Sequence, residues 1–303
     1  MHPSSKFRSG FISIVGRPNV GKSTLLNTIL GEKIAIVTDK PQTTRNRILG
    51  VRNVPDAQFV FLDTPGIHKP KGRLNQAMVT AALRTIDEVD IIVFVVEVPA
   101  GLGPGDREIV ERIRSVRTDV IIAINKVDLI DDKSHLLPMI DEISKVCGTE
   151  KIVPLSAVEG AGVDELLELI REGLPEGPRY FPEDLVTDQP ARFMAAEIIR
   201  ERIMDETHDE IPYAAAVTIE SFVEPAEERG RVEIAATIHV ERKSQKGIVI
   251  GRGGQMLRRI GEVSRKEISA LLGSPVHLDL WVKVAPNWRR DEAALKRLGY
   301  DSR

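Results

Sequence analysis

The octapeptide Gly16-Arg17-Pro18-Asn19-Val20-Gly21-Lys22-Ser23 follows the apolar run FISIV (11–15) and runs straight into TLLNTIL. A G-x-x-x-x-G-K-S segment between a strand and a helix is a phosphate cradle, and it commits this part of the chain to a strand–loop–helix unit. The glycines let the backbone curl so that several N–H groups face one phosphate cluster. Lys22 is placed to neutralise β- and γ-phosphates, and the helix N-terminus adds its positive end. The Ser23 hydroxyl, followed by Thr24, is a hard oxygen donor of the kind Mg²⁺ prefers.

Four more apolar runs share the character of the first: QFVFL (58–62), DIIVFVV (90–96), VIIAI (120–124) and KIVPL (151–155). Nearly continuous β-branched hydrophobicity indicates strands buried on both faces, as in a parallel sheet covered by helices. Residues 72–86, 105–115, 133–146 and 162–172 carry helical spacing between them. The pattern predicts an α/β domain over 1–175, with a mostly parallel sheet and helices on both faces.

Chemistry sits at the ends of these strands. Asp63-Thr64-Pro65-Gly66 follows QFVFL; the Asp63 carboxylate can reach a Mg²⁺ shell and the Gly66 N–H a γ-phosphate. Asn125-Lys126-Val127-Asp128 follows VIIAI. The Asp128 carboxylate accepts both ring-edge donors of guanine and repels the adenine N1 lone pair, so the nucleotide is expected to be GTP. Asn125 can tie this loop to the phosphate loop, and the Lys126 stem can cover the base. Ser156-Ala157, after KIVPL, supplies a turn whose N–H could meet guanine O6. In Pro41-Gln42-Thr43-Thr44-Arg45, a threonine hydroxyl completes Mg²⁺ coordination only with the γ-phosphate present, the basis of a switch. Thr43 and Thr44 both qualify, with Thr44 preferred. The metal set is therefore Ser23, Thr44 and Asp63, and the catalytic set Lys22, Thr44, Asp63 and Gly66.

Ras-type enzymes place a water-orienting glutamine just after this glycine. Here the position is Ile67, which neither donates nor accepts a hydrogen bond. Unassisted turnover well under about one per second is expected. Asn19 resembles an asparagine that, in some GTPases, helps hold K⁺ against the phosphates, so activation by K⁺ is a further expectation.

At GLPEGPRYFPED (173–184) the periodicity stops, and three prolines and two glycines mark a linker, set at 176–190. Beyond it come a helix (192–206), two alternating strands (214–224 and 231–241) joined by the hairpin loop EPAEERG, a helical hairpin, a long basic helix (255–272) and the strand VHLDLWVKV (276–284). That order predicts a small α+β domain over 191–285, with a tail over 286–303. Gly251-Arg252-Gly253-Gly254 forms a GxxG turn between two helices, the device with which KH modules clamp about four nucleotides. Lys246, Ile250, Arg252, Arg258, Arg259, Arg265 and Lys266 surround it. Trp281 is expected in the core and Trp288 in the packing of the tail.

The net charge of −3 conceals an asymmetry: residues 241–303 carry 14 basic and 7 acidic side chains, residues 181–240 only 5 basic against 14 acidic. A basic end on an acidic protein suits a polyanion. The longest uninterrupted apolar stretch, Ile91 to Val96, is far short of the roughly 20 residues of a membrane span. The single cysteine, Cys147, and the absence of a secretory pattern suggest a cytoplasmic protein. The scattered histidines, among them His68, His208, His239 and His277, have no metal-ligand spacing.

Taken in order, GRPNVGKS, QTTR, DTPG, NKVD and SA, then SQKGIVIGRGGQML and the tail WVKVAPNWRRDEAALKRLGY, resemble the Era family of bacterial ribosome-assembly GTPases over nearly the whole chain. The resemblance implies a KH domain of the second topological type. It also implies binding of the single-stranded 3′ end of 16S ribosomal RNA and a role in maturation of the 30S subunit as a nucleotide-dependent checkpoint. It further implies a cytoplasmic location with peripheral contact at the cytoplasmic face of the inner membrane, and a monomer is expected. The rival reading keeps the GTPase but makes the second domain a protein or membrane adaptor; it predicts weak RNA binding without sequence preference.

Overall fold

The computed structural model of the chain describes residues 7–67, 72–98, 100–132, 134, 136–225 and 230–300. His68 and four residues of the EPAEERG loop lie outside that set. The first half builds a six-stranded sheet in the order β2-β3-β1-β4-β5-β6 from β1 (Arg8–Val15), β2 (Ile48–Val54), β3 (Ala57–Asp63), β4 (Ile91–Glu97), β5 (Asp119–Asn125) and β6 (Ile152–Pro154). All neighbours are parallel except β2, which pairs antiparallel with β3 at the edge.

The helices are α1 (Lys22–Leu30), α2 (Arg73–Ile86), α3 (Pro104–Arg114), α4 (Leu136–Cys147) and α5 (Val163–Gly173). Alternate residues of each strand enter different cores, which explains the unbroken apolar runs. Ile12, Ile14, Val93, Val95, Ile121 and Ala123 pack beneath α1 and α5, whereas Val15, Ile92, Phe94, Val96, Ile122 and Ile124 pack beneath α2, α3 and α4. Every motif-bearing loop therefore emerges at the carboxyl edge of one sheet, where open α/β folds place their ligands.

β2 was not foreseen. Its sequence ILGVRNV carries Gly50, Arg52 and Asn53, yet Gly50 lets α1 pack closely: a Cβ there would meet Leu30 Cδ1 at 2.6 Å. The linker also differs from a free tether. Gln58 Oε1 accepts from the Tyr180 and Phe181 N–H groups at 2.7 and 3.0 Å. Val51 N–H donates to the Val186 carbonyl at 2.8 Å, and Thr187 Oγ1 to the Leu49 carbonyl at 2.7 Å. The segment is a strap fastened along the β2–β3 edge, because its irregular backbone leaves N–H groups of Tyr180 and Phe181 and the Val186 carbonyl for that edge to satisfy.

The second half contains α6 (Ala191–Glu206), α7 (Ile211–Ala214), β7 (Ala216–Val223), β8 (Val232–Val240), α8 (Lys243–Ile250), α9 (Gln255–Leu272), β9 (Val276–Val284) and α10 (Glu292–Arg297). β7 and β8 pair antiparallel and β8 and β9 parallel, with α6, α8 and α9 packed on one face. On β9, Val276 and Val282 point into the core while Trp281 lies on the other face, 50% exposed. The expectation of a core Trp281 fails because strand alternation puts odd-numbered β9 residues outward. Trp288 is buried in the tail cluster with Tyr300 and, from α2, Leu74 and Met78.

Candidate functional site

The phosphate loop leaves β1 with Asn19 in the left-handed region (φ 66°) and Gly21 at φ 96°. A Cβ on Gly21 would sit 2.2 Å from Asn125 Nδ2, so only glycine lets the two loops meet. Asn125, buried at the end of β5, donates from Nδ2 to the Val20 carbonyl at 2.8 Å, while its Oδ1 accepts from Ala157 N–H at 2.9 Å. One carboxamide thus fastens the phosphate, base and Ser156-Ala157 loops together. The Ser156 N–H is engaged by the Ala161 carbonyl. Each N–H of the turn expected to supply a donor for guanine O6 is therefore engaged within the protein in this structure. Asp128 is exposed at the rim.

A second cluster lies beside the first. Ser23 Oγ donates to Asp63 Oδ2 at 2.7 Å and lies 2.8 Å from Thr44 Oγ1, which is 3.4 Å from the same carboxylate oxygen. Asp63 is fully buried and its Oδ1 has no hydrogen-bond partner. Burial pushes the Asp63 carboxyl above the usual range, with Lys22 and the two hydroxyls opposing the shift. A buried carboxylate oxygen without a donor, flanked by two hydroxyls, is a hard-oxygen set that fits Mg²⁺.

Thr43, the competing threonine, turns away and bonds Thr38 Oγ1 and the Lys40 carbonyl. Thr64 points into the sheet, to the Ile14 carbonyl at 3.0 Å. Val127 packs against the core. Burial lowers the Lys22 ammonium to about 8, with Asp63 partly restoring it. A cavity of about 360 Å³ is lined by Pro18, Asn19, Lys22, Ser23, Thr24 and Gly66 on one side and by residues 36–39, 42–44 and Lys126 on the other. Ile67 is buried among Val15 and its neighbours, with its N–H on the Gly16 carbonyl, so its side chain cannot orient water in that cavity.

Charge partners unseen in the sequence surround the loop. Arg17 pairs with the buried Asp106 at 2.6 Å, and Lys126 with Glu97 at the end of β4. These acids fix the Arg17 and Lys126 side chains beside the cavity.

In the second half, α8 ends at Ile250 and Gly251 (φ 73°) turns the chain; a Cβ there would meet Met256 Cβ at 2.7 Å. Gly253 and Gly254 also have positive φ, with open space around both. A groove runs from this turn between α9 and β9, floored by Leu257, Gly261, Leu278 and Leu280 and edged by Arg258 and Arg265. Arg258 and Arg265 are seven residues apart and share that face. Arg259, next to Arg258 on α9, pairs with Glu206 of α6 at 2.8 Å and stays exposed. Arg252 is exposed at the turn and Lys246 half-buried on α8.

The fold and these two sites define a P-loop GTPase carrying a KH domain. Residues 11–126 match the family model of 50S ribosome-binding GTPases, and residues 210–289 match the KH domain model. The chain is 55% identical over 294 residues to GTPase Era of Geobacter metallireducens, covering 97% of this chain and 98% of that protein. GTPase Era of Staphylococcus haemolyticus is 48% identical over 296 residues, covering 98% of each. Among solved structures, Aquifex aeolicus Era bound to GDP and AlF₄⁻ superposes with a TM-score of 0.94 at 45% identity, over 97% of this chain and all of that one. Era in complex with MgGDPNP and nucleotides 1506–1542 of 16S ribosomal RNA superposes at 0.95, also 45% identical, over 97% and 99%. The chain belongs to the Era family of GTPases.

Proposed function

We propose that this GTPase reads the single-stranded 3′ end of 16S ribosomal RNA through the groove beside Gly251–Gly254 and acts in 16S rRNA processing and 30S subunit assembly as a nucleotide-dependent checkpoint. The observation that supports this most is the groove itself: a glycine turn open to close backbone approach, an apolar floor and the Arg258–Arg265 edge. Such a surface suits splayed bases read by packing and edge hydrogen bonds, with phosphates met by the arginines. The Era relative that superposes on this chain carries 16S nucleotides 1506–1542.

In the nucleotide site, Gly16–Thr24 cradle the phosphates and Lys22 carries the charge of the β- and γ-phosphates. Asp128 selects guanine, held by Asn125 and shielded by Lys126. Ser23, Thr44 and Asp63 hold Mg²⁺, which supplies charge neutralisation on the phosphoryl oxygens when bound. The Gly66 N–H addresses the γ-phosphate. With Ile67 buried, the side chain at the position of the Ras-type glutamine does not orient the attacking water, so hydrolysis without a partner is slow, under about one per second. Asn19 in this loop is the residue through which K⁺ would stimulate turnover; equal rates in NaCl and KCl would refute that role.

Fluorescence anisotropy with a labelled RNA copying the 16S 3′ end, against a scrambled RNA of equal composition, tests the RNA reading. Tighter binding of the native sequence by about tenfold or more is expected, each lost specific contact being worth about 1–3 kcal/mol. Equal binding of both would leave the adaptor reading.

A further inference from the structure

The segment 33–45, which forms one wall of the nucleotide cavity, is held mostly by the second domain. Glu201 of α6 accepts from the Val37 N–H at 2.8 Å and pairs with Lys33 at 2.6 Å. Lys40 Nζ donates to the Thr207 carbonyl at 2.7 Å, past the end of α6. The contacts tighten around Thr44. Arg200, fully buried on α6 and paired with Glu197, donates to the Thr43 carbonyl at 2.5 Å. On the other side of Thr44, the buried Arg45 guanidinium donates to the carbonyls of Ala215 at 2.7 Å and of Pro212 and Tyr213 at 3.1 Å each. It also lies against the stacked pair of tail rings, 5.9 Å from the Trp288 centroid and 5.5 Å from that of Tyr300.

We propose that Arg45 and Arg200 are positioning residues for the GTPase reaction: by fixing the backbone on both sides of Thr44 against the second domain, they hold its hydroxyl at the Ser23–Asp63 site and so favour the triphosphate over the diphosphate. The proposal rests on the reading of Thr44 as the ligand engaged only with the γ-phosphate. An unanchored loop would lose conformational entropy each time Thr44 engages. The two buried guanidinium forks, matched to carbonyls at the end of α7 and in the loop itself, make that ordering part of the fold. Arg45 also gives the tail a role, since Trp288 and Tyr300 form its seat. By linkage, whatever strengthens Thr44 engagement strengthens the contact between the domains by the same factor.

The test compares affinities of N-methylanthraniloyl GDP and its GMPPNP counterpart, with Mg²⁺, for the full chain and three variants: T44A, R45K and the double variant E197Q/R200M, which leaves no unpaired buried carboxylate. All three are expected to lose about tenfold in GMPPNP affinity, within the usual range of coupling between sites, while GDP affinity stays within twofold. Retained GDP binding certifies a folded nucleotide site, and R45K decides alone if the double variant does not fold. Equal losses for both nucleotides, or selective loss in T44A without loss in R45K, would overturn the positioning role. A T44A chain with no selective loss would instead overturn the reading of Thr44 on which it rests.

Discussion

The Asn125 carboxamide bridges two loops: its Nδ2 donates to the Val20 carbonyl at 2.8 Å, drawing the base-recognition loop onto the phosphate loop. With its Oδ1 on Ala157 N–H, this residue sets the distance between the two ends of the site. Asn125→Ala removes two buried hydrogen bonds, each costing about 1–3 kcal/mol when its partner is left unsatisfied. GDP and GTP affinities should fall together, by about tenfold to a thousandfold, in equilibrium titration. A loss confined to one nucleotide would contradict the bridging role.

Asp128→Asn exchanges an acceptor pair for one acceptor and one donor. Guanine then loses a partner, and xanthine, with a carbonyl at C2, gains one. GTP affinity should drop by about a hundredfold or more and XTP affinity rise above it, since a site built on hydrogen bonds rejects the wrong partner strongly. Competition binding with both nucleotides reads this directly.

Gly253 and Gly254 have space around them, so Gly253→Asp with Gly254→Asp places carboxylates at the turn with little disturbance of packing. Asp tolerates the left-handed region better than most residues. RNA binding should fall by about tenfold or more while the melting temperature drops by only a few degrees. Gly251→Val, by contrast, brings a Cβ to 2.7 Å from Met256 Cβ, so it should lower stability as well as binding. RNA anisotropy beside thermal unfolding separates the two effects.

His239, on β8, lies 2.9 Å from Thr218 Oγ1. Burial lowers its pKa, opposed by Glu220 and assisted by Lys283 and Arg297. The unfolded chain therefore takes up this proton more readily. Stability from the neutral ring is complete above the unfolded value of about 6.5 and is lost as pH falls through the lower folded value. Urea midpoints at pH 7.5 and 5.5 should show a smaller acid loss for His239→Gln than for the parent chain.

Cys147 closes α4 half-buried, and burial pushes its thiol up to about 11. The thiolate is the reactive species. Labelling by a disulfide reagent at pH 8 should be slower in the native chain than in urea by about tenfold or more.

The nucleotide site was legible because its chemistry is tied to strand ends: once FISIV, QFVFL and VIIAI are strands of one parallel sheet, Lys22, Asp63 and Asn125 must gather at one edge. The choice between Thr43 and Thr44 was not, since both are hydroxyls and only the fold turns one toward Asp63. Arg45 and Arg200 were invisible for a different reason. Their partners are backbone carbonyls about 160–170 residues away in sequence, and a carbonyl leaves no mark in a residue pattern. The strap at 175–187 read as a free linker because prolines and glycines signal irregular backbone without saying what satisfies it. In the second domain the GxxG turn was legible. The pairing of Arg259 with Glu206 was not legible, because one position along α9 rotates a side chain by about 100° and the sequence does not say which neighbour it then meets.

If RNA in the KH groove and GTP at the sheet edge work as one device, bound RNA changes the rate at which GTP is hydrolysed. Single-turnover GTP hydrolysis with and without an RNA copying the 3′ end of 16S ribosomal RNA, with a scrambled RNA and the Gly253→Asp, Gly254→Asp chain as controls, tests it most directly. Acceleration by the native RNA alone, absent in the variant, is the expected result. Unchanged rates with RNA bound, or equal acceleration by the scramble, would contradict it.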